Sequence, residues 1–192
     1  VKTILTIHDL NFILAPQTMP FTNLCAHRLF FRKDLMRADS IVCNSEGTAS
    51  RLTHFFGIDA SAIVRPWVND FFKTVDQKKI YSILQKHNIR PPYILTVAFL
   101  EPRKNHPALI KAFLSLKKSG NLLDYRLVLI GGGGWKNKSL LKTIKGQQDI
   151  ISLGYLEDTD IRSLYAGADI FILPSLYEGF GMPVLEARAC GS

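Results

Sequence analysis

The sequence predicts an α/β fold made of two doubly wound parallel-sheet units, both incomplete, joined by a linker. Three observations predict it. Short apolar or β-branched runs alternate with helical patterns along the chain, which implies parallel strands joined by right-handed crossovers. The alternation is interrupted once, by a polar stretch that closes with Arg90-Pro91-Pro92. The chain has 192 residues, 47% hydrophobic and 21% charged, enough for one large core or two small ones. It has no initiator Met and stops at Ala-Cys-Gly-Ser after a helical pattern, so it reads as a fragment of a longer protein.

The elements follow in order. VKTILTI, 1–7, is a buried strand; 24–37 has helical spacing; 40–43 is a short strand. Ser45 caps a helix that runs to Phe56 and stops at Gly57. A strand at 62–65 ends at Pro66. Residues 68–92 hold a polar helix (76–87) and serve as the expected linker. The second unit, 93–192, then reads strand 93–99, helix 107–118 with Gly120 after it, strand 125–130, and a helix starting near Trp135. Strand 150–153, helix 161–166, strand 169–173 and helix 183–190, with Gly191 as its cap, complete it.

Composition excludes some classes. No apolar run approaches the ~20 residues a membrane-spanning helix needs. The three cysteines, Cys25, Cys43 and Cys190, form no C-x-x-C pair; reduced thiols and a cytoplasmic setting are expected. The five histidines lack zinc-ligand spacing. The net charge of +8 points to anionic partners: nucleic acid, a membrane surface or phosphorylated small molecules.

In an open parallel sheet, ligands bind beyond the carboxyl ends of the strands. Three loops of the second unit stand there. LEPRKNH, 100–106, sets Arg103 and Lys104 beside a helix start, where free N–H groups also attract anions; two solvated cations are the alternative. GGGGW, 131–135, permits close backbone approach at Gly131 and Gly132, or is simply a tight turn. YEGFGMPVLEA, 177–187, places Gly181, Met182 and Pro183 at a helix start, with Glu178 before it and Glu186 one turn in. Each carboxylate alone reads as a helix-dipole or solvated acid. Together, cations, open backbone and paired acids suit a ligand with phosphates and hydroxyls, such as a sugar nucleotide.

EGFGMPVLE, with its E-x₇-E spacing, resembles the signature of retaining glycosyltransferases of the GT-B fold, family 4. FLEPRKN, LVLIGGGG and GYLEDTDIRSLYAGADIFILPS resemble the donor domain of that family; TIHDL and DSIVCNS resemble the later part of its acceptor domain. The resemblance therefore covers nearly the whole chain and implies two Rossmann-like domains: 1–67 as the end of the acceptor side, 93–192 as a truncated donor domain. It implies that Lys104 contacts the donor diphosphate, with Arg103 assisting. Phe180, Gly181 and Met182 would offer backbone N–H groups to the donor sugar. Glu178 would lie near the sugar hydroxyls and reacting centre, Glu186 would hold the ribose hydroxyls, and His8 would contact the sugar. A capping or core role is the other reading of His8. The chain departs from the pattern at Ala98-Phe99, where many members carry Gly-Arg, so one diphosphate cation is missing from its usual place.

The implied activity is transfer of a sugar, mannosyl or similar, from a nucleotide-sugar donor to a glycan or lipid-linked acceptor in polysaccharide biosynthesis, with retention of configuration. A sugar-nucleotide hydrolase or epimerase on the same fold, and a non-catalytic nucleotide- or nucleic-acid-binding module, remain as alternatives. No aromatic-basic RNA motif supports a nucleic-acid partner. No cofactor or metal is expected: Asp158-Thr159-Asp160 matches a metal motif of another fold but stands before a helix, where Asp158 or Asp160 serves as N-cap. Arg28, Arg32, Lys33 and Arg37, with Phe30 and Phe31, form either a solvated basic face or a peripheral contact with the inner face of an anionic membrane.

Overall fold

The computed structural model describes residues 2–135 and 137–192. The chain divides into two compact units: Val1–Trp67 with Leu176–Gly181, and Val68–Ser175 with Met182–Ser192. Val1, the first residue of the expected first strand, lies outside the described residues.

In the first unit, β1 (Ile4–Ile7) leads through α1 (Asn11–Leu14) and a 3-10 turn to the long α2 (Phe21–Arg37). β2 (Ser40–Cys43), α3 (Glu46–Phe56) and β3 (Ala62–Ile63) follow. The sheet is parallel, in the order β1-β2-β3. Its core holds Ile7, Leu10, Leu35, Ile41, Cys43 and Leu52, with Phe31 stacked at a tilt against Phe12 and Phe56. The expected cap is present: Ser45 Oγ accepts the Thr48 N–H at 3.0 Å, and Gly57 ends α3 at φ +67°. Helix α2 starts earlier than expected, straight after Pro20, and Leu35 is its one fully buried residue. The expected strand 62–65 is in register with β2 at Ala62 and Ile63, and the Val64 N–H donates to the Cys43 carbonyl at 2.9 Å.

The segment Leu176–Gly181 belongs to this unit although it comes late in the sequence. The Leu10 N–H donates to Tyr177 Oη at 3.1 Å, and Ser45 Oγ donates to the Gly179 carbonyl at 2.8 Å. The Arg51 guanidinium lies 5.4 Å from the Tyr177 ring centroid, a cation–π distance.

The second unit opens with α4 (Gln77–Lys86), then β4 (Tyr93–Val97), α5 (His106–Lys118), β5 (Arg126–Ile130) and α6 (Lys138–Ile144). β6 (Ile150–Gly154), α7 (Asp158–Ala166), β7 (Ile170–Phe171) and α8 (Met182–Cys190) complete it. All four strands are parallel, ordered β6-β5-β4-β7. Alternate residues of β4 feed two layers. Tyr93 and Leu95 pack with α4, α7 and α8, whereas Ile94 packs with α5 and α6. Helices therefore cover both faces, as a doubly wound sheet requires.

Two expectations change here. Residues 68–92 are not only a connector: Ile80 and Leu84, four apart on α4, are buried with Ile89 in the core of the second unit. The helix reads as polar because its other faces are, yet one stripe suffices to anchor it. The second change concerns Asp158 and Asp160. Glu157 occupies the N-cap position without a side-chain cap bond, and both aspartates lie in the first turn of α7. Asp160 is buried and receives Lys86 Nζ and His87 Nε2, each at 2.7 Å, on one carboxylate oxygen. Those bonds hold its carboxyl below the usual range against the opposing effect of desolvation, and they tie α4 to α7.

Candidate functional site

The strand order sets the location of the second unit's site. From β4 the chain steps to β5 and β6 on one side, then returns to β7 on the other. The crevice at this switch point lies beyond the carboxyl end of β4. The loops after β4 and β7 meet there: Asn105 Nδ2 donates to the Pro174 carbonyl at 3.2 Å. Asn105 adopts φ +54°, a left-handed conformation that asparagine tolerates, and this turns the chain from a 3-10 turn into α5.

A cavity of about 240 Å³ opens at this point. Lys104, Gly131, Gly132 and Pro183, four of the expected donor-binding residues, line it together with Phe99 and Tyr155. Lys104 is only 9% exposed, so its ammonium is held rather than free to sweep solvent. Phe99 and Tyr155 are exposed aromatics on the same lining.

The glycine loop is packed tightly against the loop after β4. A Cβ on Gly131, at φ +150°, would overlap the Ala98 carbonyl. The Ala98 N–H donates to the Ile130 carbonyl at 2.8 Å and the Leu100 N–H to the Gly132 carbonyl at 3.1 Å, so the two loops run side by side beyond their strands. Glycine is required for that close approach, and the same backbone forms a cavity wall.

Arg103 is placed differently from Lys104. Its Nη2 pairs with Glu101 Oε1 at 2.9 Å, and both side chains are largely buried. Its charge is thus partly compensated inside the loop. Glu101 was not singled out by the sequence, where it reads as one more loop acid. His106, the first residue of α5, is fully buried, and among the described residues neither ring nitrogen has a hydrogen-bond partner. Desolvation, helped by the charge of Lys104, pushes its pKa down to about 4, so the ring is neutral behind the lysine.

Helix α8 opens at Met182 directly after Gly181, whose φ is +91°. Pro183 sits in its first turn, and Glu186 lies one turn further on. Glu186 Oε2 accepts the Tyr165 hydroxyl at 3.1 Å. Burial raises the Glu186 carboxyl above its ordinary value, the Tyr165 hydrogen bond opposes that rise, and Asp158 adds to it.

The remaining expected residues, Glu178, Phe180, Gly181 and His8, are carried by the first unit. His8 follows β1, is exposed, and lines a groove of about 440 Å³ with Asp9, His27, Phe30 and Asp34. It is therefore not a core histidine. Gly179, beside Glu178, has no space for a side chain: a Cβ there would overlap the His8 carbonyl. On α2, Arg28, Arg32, Lys33 and Arg37 are all exposed. Among the described residues no helix is long and apolar enough to cross a membrane. No group of three or more His, Cys, Asp or Glu that could hold a metal stands among them either.

Comparison with known proteins gives a consistent picture. Residues 79–192 match the family described as glycosyl transferases group 1. The O-antigen chain mannosyltransferase B of Escherichia coli is 30% identical over 197 residues, which is 99% of this chain and 51% of that protein. An N-acetylgalactosaminyltransferase of Campylobacter jejuni, acting by its name on a diphospho-undecaprenol-linked sugar, is 29% identical over 156 residues, 80% of this chain and 40% of that one. The chain thus spans about half or less of these relatives. Among solved structures, sucrose-phosphate synthase from Thermosynechococcus elongatus superimposes with a TM-score of 0.78 at 19% identity, over 98% of this chain and 48% of that one. Anabaena HepE in complex with UDP-glucose gives 0.77 at 20% identity, over 100% and 52%. At that identity the likeness establishes the fold, which is GT-B.

Proposed function

Because the chain belongs to the group 1 glycosyl transferases, we propose that it is the donor-binding part, with some of the acceptor side, of a retaining family 4 enzyme. That enzyme moves a hexose, mannose or a close relative, from a nucleotide-sugar to a glycan or lipid-linked acceptor in polysaccharide synthesis. The named relatives support the sugar class and acceptor type. The observation that carries the reading is the cavity at the switch point, where Lys104, the Gly131-Gly132 backbone and Pro183 share one lining.

The chemistry follows from those groups. Breaking the anomeric bond leaves negative charge on the departing diphosphate and positive charge on the sugar. Lys104 and the N–H groups at the start of α8 stabilise the leaving group, and such contacts commonly lower the barrier by about 3 kcal/mol each. Arg103, tied to Glu101, contributes less than an unpaired cation would. Glu186 accepts from the ribose hydroxyls. Gly131 and Gly132 admit the nucleotide against bare backbone, and Tyr155 offers a ring face to its base. Glu178 and His8 meet the transferred sugar, with Phe180, Gly181 and Met182 supplying backbone N–H groups. No metal takes part in this scheme. The protein works in the cytoplasm, at the inner face of a membrane if its acceptor is lipid-linked.

Calorimetric titration of the chain with UDP-, GDP-, ADP- and TDP-sugars, alongside Glu186→Ala, tests the reading. Saturable binding of one nucleotide class, lost in the variant, is the expected result. A folded chain that binds none of them would count against a donor site in this unit.

A further inference from the structure

We propose that Tyr165 is a positioning residue for the donor site: its hydroxyl holds one oxygen of Glu186 so that the other is presented to the ribose hydroxyls. The proposal rests on reading Glu186 as the ribose ligand. It adds a residue on a different helix, one whose sequence context, Leu164-Tyr165-Ala166, reads only as core.

The geometry supports a dedicated contact. Tyr165 is 0% exposed, and its ring packs edge-on with Phe72, at 6.2 Å and 70°, and with Phe171, at 5.4 Å and 72°. A fully buried ring packed in this way has little freedom to redirect its hydroxyl. A phenol has one O–H, and here it is directed at Glu186 Oε2, 3.1 Å away. A carboxylate has two oxygens, so Oε1 keeps its accepting capacity. A leucine or phenylalanine would fill the same core site as well, and neither would orient a carboxylate.

Electrostatics agrees with this division of labour. The Tyr165 phenol is pushed far above its usual value, by burial first and then by Glu186, so it remains a donor at every working pH. Glu186 is held high by burial and by Asp158, and Tyr165 is the group that favours its charged form. Cys190, on the same helix as Glu186, is raised by burial, lowered by Arg162 and raised by Glu186. The groups that act on the carboxyl are therefore Tyr165 and Asp158, with Cys190 nearby on the same helix, and among the described residues only Tyr165 hydrogen-bonds to it.

The test compares Tyr165→Phe, Glu186→Gln and the unaltered chain by titration with the nucleotide-sugar that binds, and with an analogue whose ribose lacks its hydroxyls. Measurements run from acidic to neutral pH. The expected result is that Tyr165→Phe binds the intact donor about tenfold more weakly, the size of one lost charge-assisted hydrogen bond. It also distinguishes the intact donor from the analogue less well than the unaltered chain does. The acid limb of binding moves to higher pH, because the carboxylate loses the donor that stabilised it. A purely structural role would move neither the discrimination nor the limb. Unchanged affinity and limb in Tyr165→Phe, with Glu186→Gln still weakened, would overturn the proposal and leave the Glu186 reading intact. Unchanged affinity in Glu186→Gln would remove that reading and this inference with it. If Tyr165→Phe does not fold, site-specific replacement of Tyr165 by 3-fluorotyrosine, a stronger donor of nearly the same shape, takes its place. Tighter donor binding supports the proposal, and unchanged or weaker binding overturns it.

Discussion

The backbone of Gly179 lies directly against the carbonyl of His8, with no space between them for a Cβ. Two residues far apart in sequence, each adjacent to or part of the expected catalytic pair, are thus packed together in the first unit. Ser45 fixes the same point from another side through the Gly179 carbonyl, at 2.8 Å. The glycine between Glu178 and Phe180 is therefore a contact requirement as well as a source of flexibility.

Gly179→Ala follows from that contact. The methyl group would force the segment or the His8 backbone to shift, and overpacking of this kind costs typically about 1–3 kcal/mol. Because the shift displaces Glu178 by its chain neighbour, activity of the parent enzyme should fall further than stability. Thermal unfolding and turnover, measured on the same preparation, check this. Full activity in Gly179→Ala would show that the position of Glu178 is not set by this contact.

Lys104 and Arg103 are neighbours with unlike surroundings, and they should respond unlike. Lys104→Ala removes a cation that lines the cavity, and donor affinity should drop by about tenfold to a hundredfold and lose much of its salt dependence. Arg103→Ala leaves Glu101 buried without its partner, so the main loss should be stability, by about 3 kcal/mol. Titration and urea unfolding of both variants separate the two. A larger affinity loss in Arg103→Ala would assign the diphosphate to Arg103.

Much of this was legible in the sequence because period and punctuation carry it. The β4, β5 and β6 runs, the Ser45 cap, and the Gly57 and Gly191 stops stand where local chemistry puts them. The grouping of Lys104, Gly131, Gly132 and Pro183 followed from one topological rule about strand ends. What the sequence concealed was set by distant partners. Glu101 and Tyr165 each read as ordinary, and Asp160 as a helix cap, until Arg103, Glu186 and the Lys86–His87 pair stand beside them. Local spacing could not assign Leu176–Gly181 to the first unit, since its bonds go to Leu10 and Ser45. Nor could it show α4 as core, because a stripe of two apolar residues is easily outweighed by polar neighbours in a count.

Phe99 lines the cavity at the position where the sequence resemblance leads one to expect an arginine. Phe99→Arg would put a second cation beside Lys104. Donor affinity should rise severalfold at low salt, and the gain should shrink as salt screens it. Stability should change little, since Phe99 is 59% exposed. Titration at two ionic strengths tests this. Weaker binding in Phe99→Arg would mean that the aromatic face itself contributes to holding the nucleotide.

His106 supplies a prediction about acid. Its native pKa of about 4 lies below the ordinary 6.5, because desolvation and then Lys104 oppose its charge. The unfolded chain therefore binds a proton at a higher pH than the native chain does, and stability must fall as pH drops. This histidine's contribution is fully present above about pH 6.5 and is lost progressively toward about pH 4, amounting to about 3 kcal/mol at most. His106→Gln cannot take up that proton, so its stability should decline less steeply across the same window. Urea midpoints measured through the window for both proteins read the difference directly. Parallel curves would show that the ring gains a proton, or a partner, in the native state after all. Steeper loss in the unaltered chain would establish that a neutral imidazole stands behind the lysine that faces the cavity.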